Sequence, residues 1–199
     1  SKNRLIDKRN ISPGDHVLLT KAVAIEGTAI IAREFSDRLR VLGMTEPDIE
    51  TCKQFLSSIS ILEEAHIARD CSGVSAMHDI TEGGLATAVM ELSIAGEHQI
   101  RVDMDRIPVF PQTQKMCRLL GIDPMGLIGS GSLLICSRKN ETETLMERIR
   151  DAGIDIARIG EVMEAGRGVE AVSKAGPAVW PSFEVDEITR LYCNKVNTI

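Results

Sequence analysis

The apolar residues of this chain change their period again and again, and that alternation restricts it to folds that layer helices on a sheet. After the turn signal Ser12-Pro13-Gly14-Asp15, His16-Val17-Leu18-Leu19-Thr20 has the length and character of a buried strand. From Ile25 the spacing becomes three or four, through Ala29, Ala32, Phe35, Leu39 and Leu42, which describes one amphipathic helix ended by Gly43. Pro47-Asp48 opens a second helix with Ile49, Cys52 and Phe55 inward. The serines at 57, 58 and 60 weaken it before Ile61, Leu62, Ala65 and Ala68 resume the pattern. Val74 to His78 reads as a strand, and Leu85, Ala88, Val89, Leu92 and Ala95 as a helical face closed by Gly96. Ile100, Val102 and Met104 alternate with Arg101 and Asp103, the mark of a half-exposed strand.

Pro108 and Pro111 then break the chain, and a helix marked by Met116, Leu119 and Leu120 stops at Gly121. A strand at Leu133 to Cys136 and a charged helix at Glu141 to Ala152 follow. Two short strands, at 158–162 and 169–173, are joined through Ala165-Gly166-Arg167-Gly168. The order predicts an α+β domain of layered α/β character, a mixed sheet flanked by helices. Residues 1–11 read as a lead-in, 12–175 as the domain, and 176–199, with the only Trp and the only Tyr, as a short helix and tail.

Composition narrows the function classes. The 199 residues carry 29 Asp plus Glu against 23 Lys plus Arg, a net charge of -6, which gives no basic footprint for nucleic acid. No apolar run approaches the roughly 18 residues of a membrane-spanning helix, and Ser1-Lys2-Asn3-Arg4-Leu5 has no signal-peptide core. Cys52, Cys71, Cys117, Cys136 and Cys193 are odd in number and show neither Cys-x-x-Cys nor zinc-ligand spacing. We therefore expect free, mostly buried thiols in a reducing cytoplasm and no metal site. With aromatics at 3%, the core must be built from Ile, Val, Leu, Met and Ala. The chain begins without Met, so it is expected to be processed, tagged or cut from something longer.

The chemistry concentrates in Met77-His78-Asp79-Ile80-Thr81-Glu82-Gly83-Gly84-Leu85. A strand end, a polar turn, two glycines and a helix start fall within nine residues. Thr81 is the expected N-cap, its hydroxyl accepting a free helical N–H. Gly83 and Gly84 would leave the first-turn amides bare, at the surface, where dipole and donors both favour an anion. A purely structural helix cap explains the same spacing. His78 is a candidate acid–base group, since an imidazole titrates near neutrality; an ordinary partly exposed histidine is the alternative. Asp79 would either accept from the turn amides or position a substrate. Gly129-Ser130-Gly131 would let a phosphate approach the backbone, but no Gly-Lys-Ser/Thr follows, so it is not a P-loop. Met77, Met90, Met104 and Met116 fall on inward positions and read as core filler.

These residues resemble a known family. Asp79, Thr81, Gly83, Gly84, Leu85 and Ala86 match the Asp-x-Thr-x-Gly-Gly-Leu signature of the AIR synthase (PurM-like) superfamily. They are most similar to its hydrogenase-maturation dehydratase (HypE-like) branch. Gly14-Asp15 with its strand, then Glu26-Gly27-Thr28-Ala29-Ile30 to Arg33-Glu34, resemble the family's Gly-Asp strand and His-Gly-x-Ala-Ile helix. Leu119 to Pro124, Gly131 and its strand, and Ile159-Gly160-Glu161-Val162 resemble three further pieces in the family's order. The resemblance covers about residues 12 to 175 and implies the C-terminal domain of the PurM-like fold.

It also implies a function. Such enzymes use ATP to phosphorylate an amide or carboxamide oxygen, and loss of phosphate completes dehydration or cyclisation. By the resemblance, Thr81, Gly83, Gly84, Glu26, Gly27, Gly129 and Gly131 would line the phosphate or substrate side, with His78 and Asp79 as catalytic candidates. ATP and magnesium would be held mainly by an N-terminal domain this chain lacks. The implied partners are that domain, a second copy in a homodimer and a hydrogenase-maturation factor; the chain alone would be inert. Several positions depart from the branch: Ile80 replaces Pro, Glu82 replaces Arg, Glu26 replaces His and Gly129-Ser130 replaces Asn-Glu. Glu82 would repel a phosphate placed at the helix start. The branch ends in Pro-Arg-x-Cys, its cysteine the carrier, whereas Cys193 here is followed by six residues, which leaves carrier and free thiol as alternatives. A non-catalytic binding module and a small-molecule kinase of the thiamine-monophosphate type are the competing functions.

Overall fold

The computed structural model describes residues 6–196, with side chains described as far as Cys193. In chain order the elements are β1 (His16–Thr20), α1 (Ile25–Glu34), α2 (Ser36–Val41), α3 (Glu46–Gln54), α4 (Leu62–Arg69) and β2 (Val74–Asp79). There follow α5 (Gly84–Gly96), β3 (His98–Asp103), α6 (Pro111–Leu120), β4 (Leu133–Ser137) and α7 (Thr142–Asp151). The chain closes with β5 (Ile156–Ala165), β6 (Val169–Ser173), β7 (Gly176–Ala178) and α8 (Glu187–Val196).

The strands form one mixed sheet in the order β2-β4-β1-β5-β3-β6-β7. All five residues of β1 are buried, as its unbroken apolar run requires of a central strand. Val17 and Leu19 face one layer, where α1, α3, α5 and α6 contribute Ile31, Ile49, Leu92 and Met116 to the larger core. Leu18 faces the other, where α4 and α7 contribute Ala68, Leu145 and Ile149 to a smaller one. In β3 Ile100 and Val102 are buried and Arg101 is exposed; Arg101 pairs with Glu170 of β6 at 3.0 Å on the uncovered face. The half-exposed alternation in the sequence therefore reports one covered side.

Three local expectations need correction. The helix expected from Ile25 to Leu42 is two, because Phe35 leaves helical geometry (φ −121°, ψ 22°) while its ring stays in the core. Both pieces bury the same side, so the apolar spacing does not register the break. The second long helix is also two. Its serines form a short 3-10 turn at Phe55–Ser58, and Lys21 pins the connection by donating to the carbonyls of Ser58, Ser60 and Gly131 at 2.7–3.1 Å. Last, the two strands near the end are not partners. β3 lies between them, antiparallel to β5 and parallel to β6.

Candidate functional site

Two helix N-termini meet on either side of the segment 125–129. On the α1 side, Gly27 N donates to Ile128 O at 3.0 Å, and a side chain at Gly27 would collide with Leu127. On the α5 side, Gly84 lies against the same segment: an added Cβ would sit 2.5 Å from Met125 O and 2.8 Å from Leu127 O. Gly83 and Gly84 have φ of 76° and 62°, in the left-handed region that favours glycine. The cap of α5 is therefore Gly83, with no side-chain cap bond, and not Thr81. Thr81 acts through its carbonyl, which accepts from Gly84 N at 3.2 Å and Gly129 N at 3.3 Å. The two-glycine start turns the chain too sharply for the Thr81 hydroxyl to reach a first-turn amide.

One amide of this turn already holds an anionic group. Gly83 N donates to Asp186 Oδ2 at 2.8 Å. Ile128 N and Ile188 N donate to Asp186 Oδ1, at 3.3 and 2.8 Å. Asp186 is 8% exposed and lies just before α8, in the stretch read from sequence as a short helix and tail. The sequence signal was an ordinary one, an acidic N-cap before the apolar pair Ile188 and Leu191. Nothing local connected it to Gly83, 103 residues away.

The other expected site residues divide. Thr81, Glu82 and Asp79 are exposed around the turn. Glu26 stands in the first turn of α1, and its Oε2 is buried with no hydrogen-bond partner. Gly84, Gly27, Gly129 and Gly131 are buried. Gly129 packs on Ile80, and Gly131 on Ser58 O and Ile59, so these glycines admit their own chain rather than open space. His78 turns away from the helix start. Its Nε2 lies 2.8 Å from Glu91 Oε2 and its Nδ1 3.4 Å from Asp79. Glu91 is seven residues beyond Gly84, about 10 Å along the helix axis, so the structure does not bring His78 to the amides of Gly83 and Ile128.

Two further motifs are structural. Asp15, 2% exposed, accepts from Arg138 Nη1 on both of its oxygens (2.8 and 2.9 Å), from Ser75 Oγ at 2.7 Å and from Ser12 N at 3.1 Å. It ties the start of β1 to β2 and to the end of β4. His16 is buried between Thr142 Oγ1 and Arg158, and burial first, then the Arg158 charge, lowers its pKa from the usual 6.5. Cys193 is an exposed free thiol within α8, and the other four cysteines are buried and free. Among the described residues no three His, Cys, Asp or Glu side chains gather to hold a metal. No described helix is long and apolar enough to cross a membrane.

A mixed seven-stranded sheet with helices on both faces, and a glycine-built helix start at its edge strand, define a PurM-like α+β domain. Residues 12–173 match the family described as AIR synthase related protein, C-terminal domain, and the chain belongs to that family. It is 31% identical over 167 residues to the carbamoyl dehydratase HypE of Cupriavidus necator, covering 82% of this chain and 44% of that protein. The crystal structure of HypE from Escherichia coli, a hydrogenase maturation protein, matches with TM-score 0.78 at 25% identity, covering 95% of this chain and 56% of that one. A HypE structure in complex with ATP shares the fold, with TM-score 0.68 at 21% identity over 91% of this chain and 54% of that one. The chain spans about half the length of these HypE relatives.

Proposed function

We propose that this chain is one wall of the cleft of a HypE-like enzyme, in which ATP phosphorylates a carbamoyl or other amide oxygen and departure of phosphate completes a dehydration. The observation that carries the reading is the pair of amides, Gly83 N and Ile128 N, converging on carboxylate oxygens at the N-terminus of a 13-residue helix. Such a site holds an anionic oxygen by aligned dipoles and fixed donors. Its contribution would be electrostatic: steadying charge on the transferred group without reorganising. ATP, and magnesium with it, would be held mainly by the preceding half of a longer protein. Glu26, in the first turn of α1, would face the substrate side of the cleft. A hydrogenase-maturation factor, a second copy of the longer protein and the cytoplasm complete this reading.

The test joins this chain to an N-terminal half of the HypE type and follows ATP turnover together with binding by titration calorimetry. Magnesium-dependent ATP turnover is the expected result; absence of both binding and turnover in the folded longer protein sinks the proposal. A non-catalytic binding module is the second reading. It is favoured by Glu82, whose exposed carboxylate in the turn opposes an incoming phosphate. Binding without turnover would select it.

A further inference from the structure

After β7 the chain does not leave the molecule. It crosses the N-terminal end of α5 and the segment 125–129 before α8 begins, and three side chains fix the crossing. Trp180 Nε1 donates to Ala86 O at 3.2 Å. The Phe183 ring lies so close to Gly126 that an added Cβ there would be 2.5 Å from two ring carbons. Asp186 takes the amides of Gly83, Ile128 and Ile188. Leu191, 2% exposed, and the edge contact of Tyr192 with Phe35 at 5.0 Å anchor the far end in the larger core.

Capping α8 accounts for only one of the three bonds at Asp186. A cap needs one oxygen on an amide of its own first turn, and that is Ile188. The other oxygen belongs wholly to Gly83, at the start of a different helix. All three bonds to this carboxylate come from backbone N–H groups, and the basic side chain nearest in sequence, Arg190, is turned to Glu187. Among the described residues this nearly buried carboxylate is held by backbone amides. That is the property an exogenous oxyanion would require of the same place.

We propose that residues 180–192 form a closing strap and that Asp186 is its latch. The carboxylate occupies the position of an external phosphoryl or carboxylate group, so such a group reaches the Gly83 and Ile128 amides only when the strap lifts. The identity of the external anion rests on the function proposed above; the latch does not.

The test uses the 199-residue chain, its Asp186→Asn variant and inorganic phosphate as the probe. Amide hydrogen exchange should rise at least tenfold in D186N over residues 180–192, at Gly83 and at Ile128 together, with β1 and β4 unchanged. Phosphate should bind D186N at least tenfold more tightly than the parent chain. In the parent chain, phosphate should shift the fluorescence of Trp180, the only tryptophan. Unchanged exchange in D186N overturns the latch. Raised exchange with no gain in phosphate affinity overturns the competition, and with it the proposal. Should D186N fail to fold, Phe183→Ala loosens the strap without touching the amides. Strap exchange and phosphate affinity must then rise together, and a rise in exchange alone is the overturning result. Failure of ATP turnover in the longer protein would count against the function and leave these outcomes as they stand.

Discussion

Gly84 enters α5 at φ 62° with carbonyl oxygens of Met125 and Leu127 where a side chain would be. The first turn of this helix is therefore buried rather than at the surface, and Gly84 serves packing as well as any ligand. Gly84→Ala should cost about 1–2 kcal/mol for the left-handed backbone and about 1–3 kcal/mol more for the forced shift. Urea denaturation checks it, and an unchanged midpoint would remove Gly84 from the framework of the site. His16 gives a prediction in pH. Its folded pKa lies below 6.5, so the unfolded chain binds the proton more readily. The stability it contributes is full above about pH 6.5 and is lost as pH falls through the lower, folded value. NMR titration of the His16 ring should show a midpoint below 6.5; a midpoint at or above 6.5 refutes the assignment, as would equal acid sensitivity in a folded His16→Gln variant.

At the scale of elements, Leu92 tests the phase of α5. It is 1% exposed on the face directed at the sheet, so Leu92→Ala should cost about 2–5 kcal/mol; an unchanged melting temperature would mean the helix is rotated. The phase was legible because apolar spacing is local. So were β1, β4 and the alternation of β3. What sequence could not report was adjacency. β6 follows β5 by a tight Gly-rich connection, yet pairs with β3, because that choice depends on contacts about 70 residues apart. The site behaves alike. The glycine turn and the family motif were readable around Asp79 to Ala86. The Gly83 cap was not, since Thr81 is the better cap by residue type and only the left-handed backbone of two successive glycines excludes it. Asp186 was missed for the same reason as the order of β3 and β6: two of its three partners, Gly83 and Ile128, are distant in sequence.

For the whole molecule, the thiols count how closed the fold is. Of five cysteines only Cys193 is exposed, and burial pushes the Cys52 and Cys117 thiols up to about 12 and raises Cys136 as well. Ellman's reagent should titrate one thiol rapidly in the native chain and five in denaturant; two or more fast native thiols would show that one of the helical layers opens. The same closure extends to the segment 125–129. Gly27 and Gly84 both lie tight against it, which couples the two helix starts through one stretch of backbone.

The place of β1 in the sheet bears on how the chain is made. Its two neighbours are β4 and β5, which begin at Leu133 and Ile156. β1 is thus a central strand whose two flanks both lie more than a hundred residues further along the chain. Until more than a hundred further residues have emerged, Val17, Leu18 and Leu19 present an apolar ribbon with unpaired amides on either edge. Such a nascent chain has to wait, and while it waits it is exposed to the wrong partner. Such long-range pairing of a central strand slows folding and makes its cooperativity late.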